Sequence, residues 1–448
     1  MVYKNITFVS IINLITRVLG YLRDLLIAFV FGTSSKAEFF IILLEIKEIF
    51  NVFFHSLSFE KNLINKYLQK KKSKSHLSFS SDIFYFFFII ISLITFISLS
   101  FSNLIFFSLF PGFEGRFNID YINKTIRYVL LFNIFNFIIV YLSSLLQAEK
   151  KFYFNSIILI IPNCFFLIYF YFIIFNYEKD YLNNFFGYFL ILTSIFQISI
   201  ILIKEKNILK GLIINFKNFT VNIIEFFRSY LYSFLFIVSF TIYRFVEKYF
   251  LSYEEGLISM FYLSERIAHL PTAIIITAFS TVLLPEFFSK NTKTTKIKLT
   301  FFSDVIMYCF VIISYISTLF FFNSELIIDL LFGRGEFNEN SVIKTSQIFK
   351  QKIFGVFFLA FHLILYVFYI SKKLNKTLLF GSLIGLFIAI PFMFLMYYTK
   401  NYEYFGYNLV IFYSTQVFYL FYKLKKDYLK SIIVKINDNI TYFYSYIF

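Results

Sequence analysis

About a dozen runs of roughly 20 mostly apolar residues punctuate this chain, each long enough for a helix to cross hydrocarbon. They lie near residues 6–31, 37–58, 83–108, 125–147, 155–176, 185–203, 229–250, 257–284, 299–322, 348–370, 378–398 and 404–422. Hydrocarbon offers backbone N–H and C=O groups no water, so each run is expected to satisfy its own hydrogen bonds as a helix. A membrane barrel would alternate polar and apolar residues, and these runs do not. Composition agrees: 59% of residues are hydrophobic and 15% charged, against about half and about a quarter in a soluble domain. The first run passes through Arg17 and Arg23 to Gly32 with no small-residue cleavage site, so it reads as a span rather than a signal peptide. The expected fold is an all-α polytopic membrane protein of about 12 transmembrane helices, in two six-helix lobes around a central cavity.

The loops carry the charge in a pattern. Those after even-numbered runs are basic: KNLINKYLQKKKSK, AEKKF, KEKNILK, SKNTKTTKIK, SKKLNK and KLKKDYLK; those after odd-numbered runs hold few Lys or Arg. Lysine-rich loops stay in the cytoplasm, which predicts cytoplasmic termini and an even number of spans. The expected division is an N-terminal lobe at 1–203, a cytoplasmic linker at 204–228, a C-terminal lobe at 229–430 and a tail at 431–448. The net charge of +16 is scattered over many short loops; a nucleic-acid binder would gather it on one face or domain. No loop is long enough for a soluble catalytic domain, and no G-x-x-x-x-G-K-[ST] phosphate loop occurs. Cys164 and Cys309 lie in apolar runs, and His55, His76, His269 and His362 are scattered, so neither a disulfide framework nor a metal site is expected. The 72 Phe and 35 Tyr beside no Trp follow from an AT-rich base composition and mark no stacking site.

Charges within the runs are expensive in hydrocarbon and by default mark function. The first run carries TRVLGYLRD. At 100° per residue, Arg17, Gly20 and Asp24 share a face, with Arg23 about 120° round from Arg17; Gly20 would allow close approach. In the second run Glu38, Glu45, Glu48 and His55 fall within an arc of about 100° while Lys47 points away. That acidic face could balance the arginines of the first helix. Later, YRFVEK places Arg244, Glu247 and Lys248 together, and SERIAHLP places Glu265 and His269 at i and i+4 beside Arg266. Pro271 follows and is expected to interrupt the helix about a turn from these charges. Structural ion pairing is one reading of such groups. The other is a cavity for an anionic or phosphorylated substrate, because the planar guanidinium stays charged when buried and binds phosphate oxygens in pairs.

The segment TRVLGYLRDLLIAFVFGTSSKAEFF, Thr16 to Phe40, resembles the N-terminal signature of the MurJ (MviN) lipid II flippase family, part of the multidrug/oligosaccharidyl-lipid/polysaccharide exporter superfamily. LLQAEKKF (Leu145 to Phe152), YLSERIAHLPTAIIITAFSTVLLPEF (Tyr262 to Phe287) and LLFGRGEF (ending at Phe337) resemble its later motifs in order. The resemblance implies a transporter rather than an enzyme. It would move lipid II, an undecaprenyl-diphosphate disaccharide-pentapeptide, from the cytoplasmic to the periplasmic leaflet of the bacterial inner membrane by alternating access. By motif, Arg17, Arg23 and Arg266 stand at the family's functional arginines, Glu38 and Glu265 at acids that are usually Asp, and His269 at another acid. With Asp24, these are the expected substrate-binding residues. No cofactor is implied, only coupling to the membrane potential or an ion gradient. The implied partners are lipid II, the bilayer and cell-wall synthases, and no nucleic acid. The chain departs from the pattern at Asn51 and Val52, where the family carries Arg, and at Ser56-Leu57-Ser58, where Glu-Gly-Ala is common. It also has no counterpart of the family's last helix pair, which leaves the path of the lipid tail open. Two other readings stand beside this one: a flippase for another polyprenyl-linked glycan or a drug exporter of the superfamily, and a non-transporting membrane scaffold.

Overall fold

The computed structural model describes residues 2–55, 59–73, 75–175, 182–205, 219–272, 295–372 and 374–424. These form fifteen α-helices and two short 3-10 segments, with no strand among them. In chain order the helices are α1 Val2–Phe31, α2 Ser35–His55, α3 Phe59–Lys71, α4 His76–Ser100, α5 Ser102–Leu109, α6 Ile119–Ala148, α7 Phe152–Phe175 and α8 Leu182–Lys204. They continue as α9 Phe219–Leu251, α10 Leu257–Ala268, α11 Thr295–Phe322, α12 Ser324–Phe332, α13 Glu339–Ser371, α14 Asn375–Tyr398 and α15 Asn408–Tyr422. Eight of them are long and apolar enough to cross a membrane: α4, α6, α7, α8, α9, α11, α13 and α14. The other expected spans coincide with α1 and α2, which carry several charges; with α10, whose run passes into residues outside the description; and with α15, of 15 residues. The chain is an all-helical, multi-pass membrane protein.

The helices gather into two compact units, residues 1–241 with 252–257, and residues 242–251 with 258–448. In the first unit, α6 runs beside α2, α4 and α8, and α7 lies along α1. In the second, α13 packs against α11, α12 and α15, and α15 against α14. Gly355 on α13 permits the approach of α15, since a Cβ there would lie 2.7 Å from Leu409 Cδ2.

Two stretches expected as loops are helical. Residues 61–74 read as a basic loop, yet α3 covers most of them. Phe59, Leu63 and Tyr67 recur four residues apart, so they share one stripe. That stripe is buried against Phe79, Phe87, Phe137 and Phe226 of α4, α6 and α9. The lysines on its flanks hid the stripe, but they are partnered. Lys66 and Lys70 pair with Glu225 of α9 at 2.8 and 2.9 Å, and Lys71 pairs with Glu149, just past α6, at 2.6 Å. The same pairing explains why α9 starts at Phe219 instead of near 229: Glu225 and Arg228 read as linker charges, whereas Glu225 is tied to α3.

Glu149 makes this tie pH-dependent. Burial alone would raise its carboxyl, but hydrogen bonds from Lys71 and Tyr67 outweigh burial and hold it below the ordinary value. The folded state therefore takes up this proton less readily than the unfolded state. The stabilisation is complete above the unfolded pKa of about 4.3 and is lost as pH falls through the lower folded value. Hydrogen-exchange protection of α3 is expected to hold from neutral pH to about 5 and to drop below about 4. Glu149→Gln should lower protection at neutral pH and flatten that step. Protection that ignores both pH and the substitution would contradict the tie.

Candidate substrate site

In the first unit, Arg23 and Asp24 are both buried, and Arg23 donates to Asp24 Oδ1 from Nε at 3.0 Å and from Nη2 at 2.8 Å. The guanidinium also stands 5.5 Å from the centre of the Phe166 ring on α7. Arg17 is exposed. Helical spacing put Arg17 and Asp24 on one face; the structure separates their environments, since Asp24 is buried while Arg17 is exposed along with Leu14, Ile15 and Val18. A Cβ at Gly20 would meet nothing within 4 Å, so the close approach expected there is not made.

Glu38 is fully buried and takes a hydrogen-bonded ion pair from Arg116, in the connection between α5 and α6, at 3.2 Å. Arg116 also donates from Nη2 to the Tyr253 carbonyl at 3.1 Å. Residues around Tyr253 are fastened to the same unit twice more: Glu255 accepts from the Ser35 backbone N–H at 3.3 Å, and the Gly112 N–H donates to Ser252 Oγ at 3.1 Å. Gly112 is obligatory here, since a Cβ would come within 1.8 Å of the Ser252 carbonyl oxygen. Glu45 is buried; the side chains of Glu48 and His55 lie outside the described residues. Lys47, expected on another face, is buried too, with its ammonium 5.0 Å from the Phe166 ring centre. Phe166 thus serves two cations. Lys47 also lines a cavity of about 180 Å³ with Asn136, Asn163, Thr193 and Gln197.

The second unit holds a denser group. Glu247 and Lys248 of α9 are buried and 3.3 Å apart, and Asn408 of α15 donates to Glu247 at 2.8 Å. This places them inside the unit, near the end of α9. Glu265 of α10 pairs with Lys352 of α13 at 2.9 Å. Lys352 is fully buried, and it donates as well to the Phe261 carbonyl at 3.1 Å and lies 4.8 Å from the Phe261 ring centre. Arg266 is half-buried, stacks on Tyr262 with its Cζ 4.6 Å from the ring centre and donates to the Tyr262 hydroxyl at 2.9 Å. His269 Nε2 is buried with no hydrogen-bond partner among the described residues. The regular helix stops at Ala268, as expected just ahead of Pro271, which has no N–H to give and crowds the carbonyl one turn back.

The expected residues therefore fall into two separate groups: Arg17, Arg23, Asp24 and Glu38 in the first unit, and Glu265, Arg266 and His269 in the second. Arg116 and Lys352 are functional candidates that the sequence reading does not contain. Arg116 lies in a short polar connection with nothing to mark it. Lys352 could have been noticed: with α13 starting at Glu339, it sits several turns inside a spanning helix. Among the described residues no three His, Cys, Asp or Glu side chains come together to hold a metal. What the two groups offer is fixed positive charge, partly compensated by carboxylates, buried among the helices of each unit. That arrangement suits holding and releasing an anion.

Comparison with known proteins agrees. The family model described as lipid II flippase MurJ matches residues 27–447. A relative from Buchnera aphidicola subsp. Baizongia pistaciae, named "Probable lipid II flippase MurJ", is 25% identical over 438 residues, covering 94% of this chain and 83% of its own. One of the same name from Aquifex aeolicus is 24% identical over 428 residues, covering 92% of this chain and 81% of its own. Among solved structures, a lipid II flippase MurJ in an inward closed conformation superposes with TM-score 0.78 at 22% identity, over 99% of this chain and 92% of that one. An inward-facing multidrug resistance MATE transporter of the MOP superfamily superposes with TM-score 0.70 at 12% identity, over 94% and 95%. By its family match, this chain is a member of the lipid II flippase MurJ family.

Proposed function

We propose that this protein carries lipid II across the bacterial inner membrane. The observation that supports the reading most is the retention of guanidinium groups at the two places where the resemblance puts them, Arg23 within α1 and Arg266 within α10. A buried arginine is costly in hydrocarbon. It is repaid when a diphosphate, with several oxygens able to accept paired N–H bonds, enters beside it. In this reading Arg17, Arg23 and Arg266 receive the diphosphate, while Asp24, Glu38, Glu265 and His269 set the charge balance that lets it leave again. The basic loops and both termini face the cytoplasm. The driving force comes from the membrane potential or an ion gradient.

The test is replacement of the resident flippase in a depleted bacterium by this chain. Restored growth, together with lipid II becoming accessible on the outer leaflet, is the expected result. Lysis despite full membrane insertion would sink the transport reading and favour a scaffold.

A further inference from the structure

A stripe on α6 is out of place for a helix in a bilayer. Asp120, Lys124, Arg127 and Leu131 follow one another at helical spacing, and Lys124 and Arg127 are exposed. Neither cation makes an ion pair or hydrogen bond among the described residues. Opposite them stands the C-terminal end of α4, where Phe96 is 69% exposed and Ile97 and Leu93 are exposed beside it. Between the two helices lies a groove of about 640 Å³, its walls including Phe96, Leu99, Asn123, Lys124, Arg127 and Leu131. The Asn123 side-chain oxygen is taken by the Ser102 hydroxyl, which leaves the amide N–H groups as donors on the same wall.

The groove changes character along its length. Arg127 lies about 12 Å along α6 from its start, just before the apolar stretch VLLFNIFNFIIV begins at Val129. Its cationic end is therefore at headgroup level and its Phe96–Leu131 end in hydrocarbon. One polar, anionic head joined to an apolar chain fits both halves. Positive side chains at this level attract anionic headgroups, and this is not the end of the chain's spans that carries the Lys-rich loops. We propose that this groove seats one anionic phospholipid, its phosphate on Lys124 and Arg127 and an acyl chain along Phe96 and Leu131. Cations that merely reached up to the interface would meet any headgroup and show no such choice.

Native mass spectrometry of the full-length protein incubated with mixed phosphatidylglycerol and phosphatidylcholine tests this. The wild type should retain one phosphatidylglycerol in preference to phosphatidylcholine. Lys124→Gln with Arg127→Gln should reduce that preference about thirtyfold, the combined weight of two interfacial charges. Equal retention of the two lipids by the wild type, an undiminished preference in the double variant, or displacement of the lipid by inorganic phosphate would each overturn the proposal. Should the double variant lose its helical circular dichroism, Asp120→Asn supplies the converse. Removal of the opposing carboxylate should strengthen phosphatidylglycerol retention, and unchanged or weaker retention would count against the site. Failure here would leave the proposed transport activity standing, because none of these residues belongs to it.

Discussion

Arg266→Ala is expected to end growth of a flippase-depleted bacterium that relies on this chain, with the protein still present in the membrane at its normal level. Hydrogen bonds to charged groups are worth about 1.5–3 kcal/mol each. Losing a bidentate contact to a diphosphate thus weakens binding by a hundredfold or more. Arg266 is half-buried and stacked on Tyr262, so its truncation should cost the fold less than the loss of a fully buried ion-pair partner. Arg266→Lys should also fail, since a point charge does not reproduce the planar fork. Arg17→Ala is expected to behave in the same way, for Arg17 is exposed within α1. Arg23 is a poorer probe. Removing it takes a close ion-pair partner from the buried Asp24, so a loss of growth would mix folding with function. Normal growth of the Arg266 and Arg17 variants at equal protein level would contradict a substrate role for both.

Lys352→Met is expected to act through stability instead. It would leave Glu265 without its close ammonium partner and take one donor from the Phe261 carbonyl, which keeps the Ser264 hydroxyl. Breaking a buried ion pair from one side typically costs about 3–5 kcal/mol, because the remaining charge is left uncompensated. The variant should melt at lower temperature in detergent and accumulate poorly. Adding Glu265→Gln should recover much of the loss, since a neutral amide does not need the counter-ion. If the double variant melts no higher than the single one, Lys352 is not serving Glu265.

The spans could be read in the sequence because hydrocarbon imposes a length and an apolarity that soluble structure does not. Charge was the part that misled. Lysines on α3 and the acid Glu225 on α9 looked like loop, whereas they pair across the unit and flank a buried apolar stripe. The same difficulty touched the candidate site. Arg23, Asp24, Glu265 and Arg266 were recognisable as charges inside spans, since their cost in lipid singles them out. Partners on other elements were not. Glu38 meets Arg116 and Glu265 meets Lys352, pairs separated by 78 and 87 residues along the chain. Helical spacing says which residues share a face of one helix; it says nothing about which other helix covers that face.

The contrast between the crowded glycines and the open lipid-facing positions bears on how such a chain can diverge. At Phe96 or at Phe387, 81% exposed, the neighbour is fluid acyl chain, which asks for apolarity and accepts almost any shape. At Gly112 and Gly355 the neighbour is another part of the protein, and a single methyl group has nowhere to go. Mutation therefore runs at two speeds. Drift toward phenylalanine and isoleucine codons can be absorbed at the lipid-facing surface, whereas a side chain added at Gly112 or Gly355 meets protein at once. Such tolerance accords with a fold shared at 22% identity and a TM-score of 0.78.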